Sequence, residues 1–220
     1  MPAESSVKSE SSGDPSAPRR PRRTQAERVA ESDRKLLGAA LKLIGERGYG
    51  GTSLAAIGEA AGYSRGLVHE RFGSKAGLLW ALVEQILRVW NREGRERGLA
   101  GLQGFDALAG MIDNHRRAVE QGRGIRAFYA LMFEALGPTP ELVTEFRGLH
   151  RTFRADIERA IRQGVEAGTI RADVDPPAQA ALLLGALRGL AFQALLDPDG
   201  VALAAAYEMQ KQNLRRVLSP

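Results

Sequence analysis

The sequence predicts an all-α protein built from two helical units. Apolar residues recur every three or four positions along most of the chain, Ser, Thr and Asp stand where such runs begin, and no segment shows the alternation of a half-buried strand. No internal repeat at solenoid spacing is present. At 220 residues the chain accommodates a small domain joined to a medium one, each with an adequate core.

The elements follow in order. Thr24 and Glu27 have the spacing of a reciprocal N-terminal cap, and Leu37, Leu41 and Ile44 continue at helical intervals until Gly48, which predicts a first helix over 25–47. Ser53 caps a short second helix over 54–61, and Gly62 supplies the tight backbone that ends it. Ser64 caps a third helix through Phe72, and Ser74 a fourth that carries Leu79, Leu82, Val83, Ile86 and Trp90. Helical clusters then run from Phe105 to Val119 and from Ile125 to Leu136, the second stopped by Gly137-Pro138-Thr139-Pro140. A long stripe of Leu142, Phe146, Leu149, Phe153, Ile157, Ala160 and Ile161 closes at Gly168. Asp175 caps the next helix, with Pro176 and Pro177 in its first turn. From 178 to 196 that helix is apolar on nearly every face, which predicts burial all round, in a core or against a second subunit. Arg188 in mid-run and a high share of Ala and Gly argue against a membrane span. After Asp197-Pro198-Asp199-Gly200 a last helix covers about 201–217.

Composition sets outer limits. With 44% hydrophobic and 26% charged residues the chain has ordinary globular usage. A formal charge of +5 favours an anionic partner such as nucleic acid. The absence of cysteine excludes disulfides, thiolate zinc sites and a cysteine nucleophile. Residues 1–24 read as a disordered tail: the stretch MPAESSVKSESSGDPSAP has no apolar signal core and too little apolar surface to fold. Arg19, Arg20, Arg22 and Arg23 follow it as either a solvated run or an arm that lies on DNA phosphates or in a minor groove.

The stretch GYSRG, residues 62–66, matches the G-x-S-x-G pattern of a serine nucleophile set on a strand-to-helix turn. The preceding SLAAIGEAAG is alanine-rich, helically spaced and poor in β-branched residues, so the strand that such an elbow needs is missing. A serine hydrolase is therefore the alternative, not the reading, and no enzymatic activity or cofactor is expected. A non-specific nucleic-acid-binding dimer is the other alternative. The stretch reads instead as a helix-turn-helix over 53–72: Gly62 for the turn, Ser64 for the cap, and Arg65, His69 and Arg71 opposite Leu67, Val68 and Phe72.

The segments LKLIGERGY (41–49), TSL (52–54), AGYSRG (61–66) and FGSK (72–75), with Leu78 and Leu79, resemble the TetR family of bacterial transcriptional regulators. That resemblance implies a DNA-binding unit over 25–90 and a ligand-binding and dimerisation unit over 91–220, working in the cytoplasm on double-stranded operator DNA. It places Thr52 and Ser53 on the DNA backbone and Arg65, Gly66 and His69 at base edges, with Ser64 opening the reading helix and Arg71 beside them on its polar face. Lys75 and Arg65 can neutralise phosphates. His69 stands where tyrosine is frequent in the family, Leu67 where threonine is, and Ala55 where some members carry a long base-contacting side chain. Glu70 would be repelled by phosphate unless it accepts from cytosine or pairs with Arg71.

For the second unit the resemblance implies a homodimer through the helices at 178–196 and 201–217, whose two recognition helices would read a palindrome about 34–36 Å apart. An unidentified small molecule would bind among His115, Phe128, Tyr129, Met132, Phe133, Phe146, His150 and Phe153, the large and semi-polar side chains of the middle helices. Neither His115 nor His150 has a companion ligand at helical spacing, so no metal is expected.

Overall fold

A computed structural model of the protein describes residues 24–137 and 140–220, so the arginine run at 19–23 lies outside the described residues. The described residues form nine α-helices and no strand: α1 Gln25–Arg47, α2 Leu54–Ala61, α3 Arg65–Phe72, α4 Lys75–Glu96, α5 Gly104–Gln121, α6 Arg123–Glu134, α7 Pro140–Glu166, α8 Pro176–Leu196 and α9 Leu203–Leu218.

Local chemistry sets most of these ends. Thr24 and Glu27 form both hydrogen bonds of the reciprocal cap, the Glu27 N–H donating to Thr24 Oγ1 at 3.2 Å and the Thr24 N–H to Glu27 Oε2 at 2.7 Å. Ser53, Ser64, Ser74 and Asp175 each accept a backbone N–H three residues ahead. Gly62 ends α2 with φ 77° and ψ 29°, the left-handed conformation that favours glycine.

Two apolar clusters hold the helices together. In the first, Leu36, Ala40 and Ile44 of α1 meet Ile57 of α2, Val68 of α3 and Leu78, Leu79, Leu82 and Val83 of α4. This cluster does not stop at the reading unit: it runs on through Ile125, Phe128 and Leu131 of α6 to Leu142 and Phe146 of α7. In the second, Leu108 and Ile112 of α5 pack with Ile157 and Ile161 of α7, Leu183 and Leu187 of α8, and Tyr207, Leu214 and Leu218 of α9. The division expected at residues 90 and 91 thus falls inside α4, a continuous helix with Leu79 and Leu82 in the first cluster and Trp90 packed against it.

Within one chain, helix α8 buries one face and leaves the other open. Ala180, Leu183, Leu187 and Ala191 face the core, while Leu182 is 66%, Phe192 42% and Leu196 69% exposed. Its length and composition would allow it to cross a membrane. It packs instead along α7 and α9, and among the described residues Leu182 and Leu196 of its other face stay largely uncovered.

Candidate nucleic-acid interface and ligand cavity

The approach of α2 to α3 depends on Gly58. A Cβ there would lie 2.8 Å from the Tyr63 carbonyl oxygen and 3.2 Å from Val68 Cγ2, so only glycine lets the turn close over α2. Val68 then anchors α3 with no exposed surface, and its helix presents Ser64, Arg65, Gly66, His69 and Glu70 to solvent. Ser64 Oγ accepts the Leu67 N–H at 3.3 Å, at a helix start preceded by another helix. The hydroxyl caps α3 and lacks the strand of a nucleophile elbow.

Three expected contact residues are committed elsewhere. Thr52 is 2% exposed and donates through Oγ1 to the Gly48 carbonyl at 2.8 Å, so its hydroxyl proton is already engaged within the chain. Arg71 leaves the polar face of α3 and reaches α1, with Nη2 donating to Ser32 Oγ at 3.2 Å and Nε 3.6 Å from Asp33 Oδ1. It therefore does not pair with Glu70. Lys75 Nζ donates to the Tyr49 carbonyl at 2.7 Å and sits 3.8 Å from the centre of the Tyr49 ring, tying the start of α4 to the turn after α1. Burial lowers its pKa, against the attraction of Glu134. Ser53, Ser64, Arg65, Gly66 and His69 remain as the exposed set.

A cavity of about 390 Å³ opens between α4, α5, α6, α7 and α8. Its walls are mainly apolar, with Leu87 and Trp90 from α4, Met111 from α5, Phe128 from α6, Phe153 and Ile157 from α7, and Leu184 and Leu187 from α8. Its polar points are Asn91, Arg95, Asn114, His115, Asp156 and Arg188. The His115 Nδ1 lies 2.7 Å from the Tyr207 hydroxyl and Nε2 3.4 Å from that of Tyr129. Burial, reinforced by the Arg188 charge, pushes His115 down to about 4, so its imidazole is neutral at pH 7. Burial also pushes Tyr129 up to about 12 and raises Tyr207, keeping both hydroxyls protonated.

Of the eight side chains expected around a ligand, His115, Phe128 and Phe153 line this cavity. Tyr129 stands behind His115, and Met132 places Sδ 2.7 Å from Arg188 Nη1. Phe146 is core, edge-on to Phe128 and Trp80. Phe133 faces outward, 45% exposed, with its ring 5.4 Å from that of Phe192. His150 lies outside the lining, and burial with the charges of Arg188 and Arg154 pushes it down to about 4.

Comparison with known proteins matches both parts of this architecture. Residues 36–82, spanning α2, α3 and parts of α1 and α4, match the family described as bacterial regulatory proteins, tetR family. Residues 106–219, which carry α6 to α9 and most of α5, match the C-terminal domain of BetI-type transcriptional repressors. The chain belongs to the TetR family of bacterial transcriptional regulators. The HTH-type transcriptional regulator CymR of Pseudomonas putida is 40% identical over 94 residues, 42% of this chain and 46% of that protein. The regulator BetI of Burkholderia thailandensis is 40% identical over 67 residues, 30% of this chain and 34% of that protein. The matched segments thus cover less than half the length of either relative. Among solved structures, a TetR transcriptional regulator from Chloroflexus aurantiacus has the same fold, with a TM-score of 0.74 at 24% identity over 87% of this chain and 98% of that one. SmeT in its complex with triclosan gives a TM-score of 0.68 at 25% identity, covering 84% of this chain and 89% of that one.

Within this TetR fold, the residue that sequence reasoning misses is Arg188, used there only against a membrane span. A cation in the middle of GALRGLAF carries a second message, because a charge on an apolar helix must meet solvent, an opposite charge or a ligand. Asn91 and Asn114 gave no comparable signal: polar residues on amphipathic helices read as solvent-facing until the neighbouring helices are placed.

Proposed function

We propose that the protein is a ligand-released repressor that binds a palindromic operator as a homodimer. The observation that carries this reading is the exposed start of α3, where Arg65, Gly66 and His69 stand clear of the chain while Val68 fixes the helix from behind. A helix held in this way fits a major groove, with Arg65 able to pair bidentately with guanine. Free N–H groups at the N-termini of α3 and α4 favour phosphate at the groove edges. The uncovered apolar residues of α8 and α9 support pairing with a second copy, and the cavity supports a small-molecule effector, as in the SmeT complex with triclosan. Reading unit, ligand unit and dimer helices are assigned to 25–90, 91–220, and α8 with α9.

The test is selection from a pool of random duplexes at fixed salt. An enriched pseudo-palindrome is expected, and Arg65→Ala should relax preference at one position of each half-site by about 1–3 kcal/mol. Enrichment of no sequence, or of an unsymmetrical one bound by a single chain, would remove the operator reading. Ser64→Ala should cost only about 0.5–2 kcal/mol of stability as a lost cap.

A further inference from the structure

Three charged side chains border the cavity: Arg95, Asp156 and Arg188. Arg95 is exposed, and Asp156 is paired with Arg159 of its own helix at 2.9 Å. Arg188 differs from both. Its guanidinium carbon lies 5.9 Å from the ring centres of both Phe128 and Phe153, and among the described residues its Nη1 has only the Met132 thioether as acceptor and its buried Nε has no partner. No carboxylate among the described residues pairs with it; the Tyr129 hydroxyl that acts on it is protonated, and the neighbouring charge is another cation, Arg154. A thioether is a weak acceptor, and a guanidinium set among apolar walls without an acceptor is costly unless something supplies one.

We propose that this cavity takes an amphipathic organic monoanion, a carboxylate on an apolar body, with the carboxylate held by Arg188 between the Phe128 and Phe153 rings. The guanidinium offers a planar fork that matches a carboxylate in two parallel hydrogen bonds, and the buried Nε is one of its free donors. Trp90, Met111, Ile157 and Leu184 supply the apolar surface for the rest of the molecule. His115 adds no charge, because its ring is neutral and both nitrogens face tyrosine hydroxyls. An ammonium of the same shape would be repelled by Arg188, and a neutral molecule would leave the guanidinium unanswered. The volume, about 390 Å³, suits a small organic acid.

This assignment rests on the ligand-responsive reading above, and the experiment separates the two. The full-length protein is titrated calorimetrically, and by the fluorescence of cavity-lining Trp90, with octanoate, 1-octanol and octylammonium, and with 4-phenylbutyrate, 4-phenylbutanol and 4-phenylbutylammonium. At least one carboxylate should bind about 10–100-fold more tightly than its alcohol and ammonium counterparts, and Arg188→Met should erase that preference while Arg188→Lys keeps part of it. Arg188→Met should melt no lower than the unaltered protein without ligand, since it removes a partly buried charge that no carboxylate answers and keeps an apolar side chain among the rings. Should that variant fail to fold, the charge preference of the unaltered protein decides alone. Binding of neither carboxylate, preference for an alcohol or ammonium, or an undiminished carboxylate preference in Arg188→Met overturns the proposal. Operator binding is followed in parallel. A carboxylate that binds through Arg188 without releasing DNA upholds the site and refutes ligand release, whereas release by the alcohol or ammonium alone does the reverse.

Discussion

Arg65 and Arg71 lie six positions apart on one short helix and serve opposite purposes. Arg65 points into solvent, while Arg71 is tied to Ser32 and Asp33 of α1. Helical spacing gives the direction of a side chain and not the partner waiting there, so both read equally well as DNA contacts until α1 is placed. Gly58 illustrates the same limit from the other side. Its position in the middle of a helix costs about 1 kcal/mol relative to alanine by propensity alone. The close packing around it outweighs that propensity: a Cβ would stand 2.8 Å from a backbone oxygen that cannot rotate away. Gly58→Ala should therefore lower stability by about 1–3 kcal/mol despite the better helix former, as overpacking does. Chemical denaturation checks this, and a midpoint unchanged or raised would mean that the turn yields and that the close approach is not needed.

At the scale of elements, what the sequence conveyed was local. The caps at Thr24, Ser53, Ser64, Ser74 and Asp175 depend on residues within three positions, and each forms as its spacing predicts. The wall of the cavity depends on five helices meeting, and only three of the eight anticipated side chains reach it. The tie from α5 to α6 and α9 through His115, Tyr129 and Tyr207 is of this long-range kind, with the partner Tyr207 ninety-two residues away. It has a consequence for pH. Because the folded imidazole titrates at about 4 and an unfolded one near 6.5, the unfolded chain binds more protons between these values. Stability is then fully present above pH 6.5 and declines as pH falls toward 4. His150, also pushed down to about 4, acts in the same direction but is more open to solvent and contributes less. Between pH 6.5 and 5, above most carboxylate titrations, the His115 share should be about 1–2 kcal/mol. Melting curves of the unaltered protein and of His115→Gln over that range test it. Parallel pH dependences would show that the tie does not hold the ring neutral.

At the scale of the whole molecule, the apolar residues left over after the chain has folded would seat the partner copy of the proposed dimer. Leu182, Phe192 and Leu196 lie on one side of α8 at helical intervals, with Gly185 and Gly189 between them, where a Cβ would meet nothing within 4 Å. Small residues between large ones let a second helix approach closely, and Met209 on α9, 51% exposed, extends the same kind of surface. A two-fold axis through this stripe would make a four-helix bundle from two copies of α8 and α9. In such a pair the second reading helix would bind intramolecularly, which would raise operator affinity by about 10²–10⁴-fold over a single chain. The double substitution Leu182→Glu with Leu196→Glu should leave the helical content intact, because both side chains face solvent in the lone chain. It should also convert the protein to monomers in sedimentation and lower operator affinity by a factor in that range. A variant that remains dimeric would place the interface elsewhere, and one that becomes monomeric yet binds operator unweakened would show that pairing is not what gives the DNA contact its strength.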